Sequence, residues 1–328
     1  MVDLFFELVG PNYPLAKAEI TAAIEGLSYD YKIDRSDPGV LSLSTDCPVK
    51  SLAQRLGLTH RIYREISKSS GEDFSDLEGD LDLPTGSAAV RTRRIENHRG
   101  DTQAIKEKLG EMISSNHSID LDSPDHELCV IISEKNYVGK KLYEMERENF
   151  KSRDGKNRPF SYPISLKPRY TRALINLTRA EKKAKVHDPF CGTGGVLIEA
   201  YLMGLDVSGG DKDSKMIEGC RKNLREFDVE ASLEVGDVAE TIPKDIDCIA
   251  TDPPYGRASS TSKEGLSSLY ERLFRISEER LKKGGYLSAI FPGLDYVAIG
   301  KEYLELIETY KIRVHRSLDR HFTVFKKI

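Results

Sequence analysis

Through the C-terminal half of the chain, short apolar runs alternate with stretches whose apolar positions recur every three or four residues. The runs "AKVHDPF", "DVSGGD", "EASLEVGD", "IDCIA", "GYLSAIFP", "KIRVHRSL" and "HFTVFKKI" read as strands, and residues 195–203, 213–227, 266–282 and 297–310 read as helices. Such alternation predicts a mostly parallel, doubly wound sheet. The N-terminal half reads differently. "LFFELVG" and "GVLSLS" are strand-like and "LAKAEITAAIEGL" and "PVKSLAQRLGL" helical, which gives a small α/β unit over residues 1–70. Residues 71–84, "GEDFSDLEGDLDLP", follow as an acidic loop. Then come a strand "SAAVRTRRI", a helix from Thr102 to Ser115 and a strand "ELCVIISE". Residues 146–165, rich in charge, Gly and Pro and without period, read as a linker.

Composition narrows the class. The 328 residues are 39% hydrophobic and 31% charged, a soluble globular balance long enough for two domains. There is no apolar run long enough to span a bilayer and no signal-peptide pattern, so the expected compartment is the cytoplasm. Five scattered cysteines without a C-x-x-C pair indicate neither a disulfide framework nor a metal site. The net charge of −4 makes no whole-molecule case for nucleic acid, but residues 135–158 carry eight Lys or Arg against four acids. Arg91, Arg93 and Arg99 alternate with small or apolar residues, which would give one strand a cationic face.

The candidate chemistry begins at "HDPFCGTGGVLIEA". Asp188 ends a strand, and Gly192, Gly194 and Gly195 let the chain turn closely into a helix. The lysine of a Walker loop is missing, and Leu197 stands where a dinucleotide fingerprint needs its third glycine. The next two strands also end in acids, Asp211 and Asp237, placed to meet ribose hydroxyls and an adenine amino group. Three acids on consecutive strand tips beside a glycine turn suit a cationic nucleoside such as S-adenosylmethionine. The fourth strand empties into "TDPPYGRAS". Proline restricts its own and the preceding backbone, so Asp252, Pro253, Pro254 and Tyr255 form a stiff ledge at a strand tip.

On these motifs the chain resembles class I methyltransferases that act on amino nitrogens. More narrowly, it is similar to the archaeal THUMP-containing tRNA guanosine N2-methyltransferases. "AAVRTRRI", "IDLDSPDHELCVII", "NRPFSYPISLKPRYTRALINLTRA", "DPFCGTGGVLIEA", "TDPPYGRAS" and "HRSLDRHF" carry the likeness. It departs at "SYPISLKPRYTRALIN", where the family more often has a histidine before its proline and an alanine at Thr171.

The resemblance implies a C-terminal seven-stranded Rossmann-like methyltransferase sheet over 166–328. It also implies an N-terminal α+β module, ferredoxin-like over 1–70 and THUMP over 71–145. The implied activity is methylation of the N2 amino group of guanosine at position 10 of tRNA, to the mono- or dimethylated product. S-adenosylmethionine would lie on Lys167, Pro168, Asp188, Phe190, Cys191, Gly192, Gly194, Asp211, Asp213, Asp237 and Asp252. Asp252 and the Pro253 carbonyl would accept the two amino N–H groups while Tyr255 stacks on the base. Arg91, Arg93, Arg94, Lys140, Lys141, Arg153 and Arg158 would grip the tRNA backbone. Some relatives pair with a small zinc-binding activator protein; neither DNA nor a membrane is an expected partner. The residues leave open another amino target, ribosomal guanine or adenine N6, and a catalytically silent RNA-binding protein.

Overall fold

The computed structural model describes residues 1–67, 83–95, 101–162, 165–255, 265–315 and 318–328. Most of the acidic loop, Arg99, the "GRAS" end of the ledge and part of "HRSL" lie outside them. The chain divides into two compact units, one of residues 1–17, 29–53 and 59–145, the other of 18–28, 54–58 and 146–328. No helix among the described residues is long and apolar enough to cross a membrane.

The first unit is built on strands β1 (Val2–Leu8), β2 (Tyr31–Asp37), β3 (Val40–Thr45), β4 (Thr59–Ser67), β5 (Ser87–Arg94), β6 (Ser118–Ile119), β7 (His126–Ile132) and β8 (Asn136–Glu144). They form one sheet in the order β2-β3-β1-β4-β8-β7-β5-β6. Because β4 pairs antiparallel with β8, that sheet is continuous across residue 70. Its helices are α1 (Tyr13–Gly26), shared by sequence with the second unit, α2 (Val49–Arg55) and α3 (Thr102–Ser114). Asp101 caps α3 through the amides of Gln103 and Ala104. Ile105, Leu109 and Ile113, one helical turn apart, then cover Ala88, Val90, Leu128 and Val130 of the sheet.

The second unit continues with α4 (Arg147–Ser152), α5 (Pro168–Asn176), β9 (Lys185–Asp188), α6 (Gly195–Leu202), β10 (Asp206–Asp211), α7 (Ser214–Glu226), β11 (Ala231–Val235) and α8 (Val238–Thr241). β12 (Ile246–Thr251), α9 (Leu266–Arg280), β13 (Leu281–Phe291), α10 (Leu294–Gly300), β14 (Glu305–His315) and β15 (Leu318–Lys326) complete it. The seven strands are ordered β11-β10-β9-β12-β13-β15-β14. From β9 the chain winds outward through β10 and β11 and returns to β12 on the other side, so direction reverses between β9 and β12. In open α/β sheets, ligands bind at the carboxyl ends of strands beside such a reversal. One face of the sheet is closed by Tyr270, Leu273 and Phe274 of α9 against Leu287, Phe291 and Phe325.

Two expected elements differ. The helix expected over 297–310 stops at Gly300, and residues 305–315 form β14, hydrogen-bonded along β15. The apolar spacing there fits either period over so few residues, and cross-strand pairing decides it. The expected linker is structured: α4 and a 3-10 turn at Gly155–Asn157 belong to the second unit. Phe150 is its buried anchor, with the guanidinium carbons of Arg153 and Arg172 at 5.2 and 5.1 Å from its ring.

Candidate active site at the strand tips

The turn after β9 is shaped by its glycines. Gly192 and Gly194 have φ of +47° and +83°, and a side chain at 194 would meet the Cys220 sulfur at 2.8 Å. The Cys191 amide donates to the Gly210 carbonyl (2.9 Å) and the Gly192 amide to Asp211 Oδ2 (3.0 Å), which ties the turn to the end of β10. Cys191 is buried and Phe190 half-buried. Among the described residues other than its chain neighbours, only the Phe190 carbonyl oxygen lies within 4 Å of where a Gly192 Cβ would stand, so this backbone is open to a ligand.

Asp188 is buried at the tip of β9. It accepts from the Thr251 hydroxyl at 2.6 Å and the Phe190 amide at 3.1 Å. Burial, with Asp211 and Asp252 adding to it, pushes its carboxyl up to about 7. Asp211 accepts from the Gly192 and Asp213 amides, and burial raises it as well. The side chain of Asp213 caps α7 through the Lys215 amide. Asp237 caps α8 in a reciprocal box with Glu240, and Arg272 holds both its oxygens, at 2.9 and 3.1 Å. Its acceptors are therefore more heavily engaged than a free adenine contact would need. Lys167 is exposed at the start of α5, and Pro168 is its buried first residue. Among the described residues, no three His, Cys, Asp or Glu side chains gather as metal ligands.

The ledge follows β12. Asp252 is half-buried, and desolvation raises its carboxyl to about 6 against the opposing charge of Arg320. The Tyr255 hydroxyl donates to Asp252 Oδ1, and Arg320 Nη2 stands 4.0 Å from Oδ2. Pro253 is buried, and the carbonyl of Pro254 accepts from the buried Tyr270 hydroxyl at 2.6 Å. Thr251 thus links the tips of two adjacent strands, with Asp188 on one and Asp252 on the other.

The proposed backbone-gripping residues fall into two groups. On β5, Arg91 donates to the Leu121 carbonyl, Arg93 lies 3.7 Å from Glu7, and exposed Arg94 reaches Thr102. Lys140 is half-buried, and Lys141 pairs with Glu127 and Glu144 at 2.8 and 3.3 Å. Arg153 and Arg158 are a correction. They are buried in the second unit, Arg153 on Glu199 at 2.7 Å and Arg158 on the Arg153 carbonyl and the Thr193 hydroxyl, and neither is placed to meet a phosphate. The fully buried Glu199 explains the inward turn of Arg153, since a carboxylate inside an apolar helix must find a cation, and it takes Arg172 at 2.8 Å as well.

Four site residues were missed in the sequence: Thr251, Tyr270, Arg272 and Arg320. Thr251 had a signal, since a polar residue at a strand end facing a buried acid is a ready donor. Arg320 sits in the noted "HRSLDRHF" stretch, but only antiparallel pairing of β15 with β13, Phe291 opposite His321, brings it to the end of the sheet that carries Asp252.

Residues 155–320 match the family model UPF0020, the RMKL-like methyltransferase domain. A tRNA (guanine(10)-N2)-dimethyltransferase of Pyrococcus abyssi is 33% identical over 98% of this chain and 99% of its own. One of the same name from Methanothermobacter thermautotrophicus is 30% identical over 98% of each. Among solved structures, TrmN from Thermus thermophilus has the same fold, with a TM-score of 0.56 at 22% identity over 99% of this chain and 100% of that one.

Proposed function

The chain belongs to the family of archaeal tRNA (guanine(10)-N2)-dimethyltransferases, and from that premise we propose that it methylates the N2 amino group of guanosine at position 10 of tRNA. The observation that carries this reading is the joining of Asp188 and Asp252 across adjacent strand tips through Thr251, with Tyr255 laid on Asp252. S-adenosylmethionine, when bound, supplies an electrophilic methyl group. The open backbone at Gly192 and the acids Asp188 and Asp211 fit a cationic nucleoside, and in this reading Phe190, Cys191, Gly194, Asp213, Asp237, Lys167 and Pro168 would border it.

The guanine amino group is a weak nucleophile because its lone pair is shared with the ring. Asp252 and the Pro253 carbonyl accept its two N–H groups, which pulls the nitrogen toward tetrahedral geometry and takes the lone pair out of conjugation with the ring. Oδ1 of Asp252 receives the Tyr255 hydroxyl and keeps a second lone pair for an amino N–H, so the ring stays in place for the base to stack on it. Asp252 then receives the proton that the methylated nitrogen sheds. With its carboxyl raised to about 6, it is ionised near neutrality and still a competent proton acceptor.

A paired base cannot reach such a ledge. The nucleotide is flipped out or already unpaired, at a cost of a few kcal/mol that contacts elsewhere on the RNA must offset. Arg91, Arg93, Arg94, Lys140 and Lys141 of the first unit provide them in this reading, and the reaction takes place in the cytoplasm. The test is incubation of unmodified tRNA transcript with labelled cofactor and the chain alone, followed by nucleoside analysis. Labelled N2-methylguanosine at position 10, with the dimethylated form at longer times, is expected. Label in adenosine, or none with or without a small zinc-binding activator while the cofactor binds, contradicts the reading. Turnover only after adding a small zinc-binding activator would assign that partner.

A further inference from the structure

Arg320 enters the site from β15 without a part in the chemistry above. Its Nη2 lies 4.0 Å from Asp252 Oδ2, its guanidinium carbon 5.6 Å from the centre of the Tyr255 ring, and its side chain is 13% exposed. Its Nε is buried without a hydrogen-bond partner among the described residues. A guanidinium withdrawn from water in this way is expensive unless it faces an anion. Asp252 is the one carboxylate with which it forms an ion pair among the described residues, since neighbouring Asp319 is taken by Lys311 at 2.7 Å.

The need is reciprocal. Among the described residues, the groups that face Asp252 are the Tyr255 hydroxyl of its own loop, Tyr270 of α9, the carboxyl of Asp188 on β9 and Arg320. Of these, Arg320 supplies the positive charge. Asp188 carries the same sign as Asp252, and a tyrosine hydroxyl is neutral near pH 7. Without Arg320, burial beside another carboxyl would favour the protonated form of Asp252. A protonated carboxyl presents a donor where the amino group needs an acceptor.

We propose that Arg320 is a positioning residue of the methyl-transfer site, holding Asp252 in its ionised, amino-accepting form and fixing the plane of the Tyr255 ring on which the target base stacks. The two tasks are separable. The first needs a positive charge, which lysine keeps; the second needs a planar cation over a ring, which lysine meets poorly. The inference rests on the amino-acceptor role of Asp252.

The experiment compares wild type with Arg320→Gln and Arg320→Lys in single-turnover methyl transfer across the acid pH range, at saturating cofactor. The wild-type rate rises with pH through about 6. In Arg320→Gln the rise moves upward by about one pH unit or more. In Arg320→Lys it stays near the wild-type position while the KM for tRNA increases. Superimposable pH profiles for wild type and the glutamine variant overturn the proposal. A readout without turnover stands beside it: the Arg320 Nε resonance of the unliganded wild type follows the ionisation of Asp252, and this response is absent in Asp252→Asn. That measurement decides the pairing even if the glutamine variant does not fold, and an Arg320 signal insensitive to Asp252 refutes it. A wild type that transfers no methyl group to tRNA would instead defeat the functional reading and leave the resonance test intact.

Discussion

In the first unit, Glu7 meets the Arg61 guanidinium at 3.0 Å, the Tyr63 hydroxyl at 3.1 Å and Arg93 at 3.7 Å, while Glu65 is held by Arg35 and the Ser42 hydroxyl. In the second, Asp188 and Asp252 are also withdrawn from water, yet they receive hydroxyls and an amide, and the cation paired with Asp252 stands 4.0 Å off. The first arrangement satisfies its charges within the sheet and pins strand register, since Glu7 and Arg61 are direct cross-strand partners. The second leaves two carboxyls raised to about 7 and about 6, a destabilising state kept at the strand tips where chemistry occurs. Glu7 and Glu65 are thus structural acids, whereas Asp188 and Asp252 are the ones proposed above for the chemistry.

The contrast can be broken at its strongest point by Arg61→Met. That change leaves Glu7 with the more distant Arg93, at 3.7 Å, and Glu144 with Lys141, at 3.3 Å, and should lower stability by about 3 kcal/mol in denaturant unfolding. A loss below about 1 kcal/mol would place Glu7 on the same footing as the strand-tip acids.

Asp252→Asn should do the opposite. The folded carboxyl keeps its proton up to about pH 6, whereas an unfolded aspartate loses it near its ordinary value of 3.8. Between those values the folded state binds more protons, so this group's contribution to stability falls as pH rises and is lost above pH 6. The asparagine variant should therefore be more stable than wild type at pH 8, by up to about 3 kcal/mol, with the gain fading toward pH 4. Unfolding curves at both pH values check the sign, and a destabilised variant at pH 8 would count against the raised carboxyl.

Thr251→Val removes one of the two donors to Asp188 and should reduce stability by about 1–3 kcal/mol and weaken cofactor binding. Calorimetric titration with S-adenosylmethionine measures the second effect. The smallest change concerns the first unit as an RNA surface. Replacing Arg91, Arg93 and Arg94 together by Gln should reduce the slope of log affinity for tRNA against log salt by up to about 3. An unaltered slope would assign all three to the protein's own internal pairings.

Much of the second unit was legible because its apolar runs are bounded by Gly and Pro. The tips carrying Asp188, Asp211, Asp237 and Asp252 fall where strand ends were expected. What the sequence concealed depends on long-range pairing. Residues 305–310 became strand because β15 was available as partner, and Arg320 reached the ledge by the pairing of β15 with β13. The basic stretch misled in a more instructive way. Arg153 and Arg158 look solvated in a run of lysines, and only partners far along the chain, Glu199 of α6 for Arg153 and Thr193 for Arg158, explain why they turn inward. Local charge density identified cations without saying which face they serve.

The ledge itself is most directly probed by single-turnover methyl transfer to tRNA with Asp252→Asn, at cofactor and tRNA concentrations shown to saturate the variant. Loss of a charged hydrogen bond worth roughly 1.5 to 3 kcal/mol, together with the proton acceptor, should slow the chemical step about 10- to 100-fold or more. Binding of both substrates should change little. A variant that transfers methyl at nearly the wild-type rate would remove Asp252 from the reaction and with it the mechanism drawn at the tip of β12.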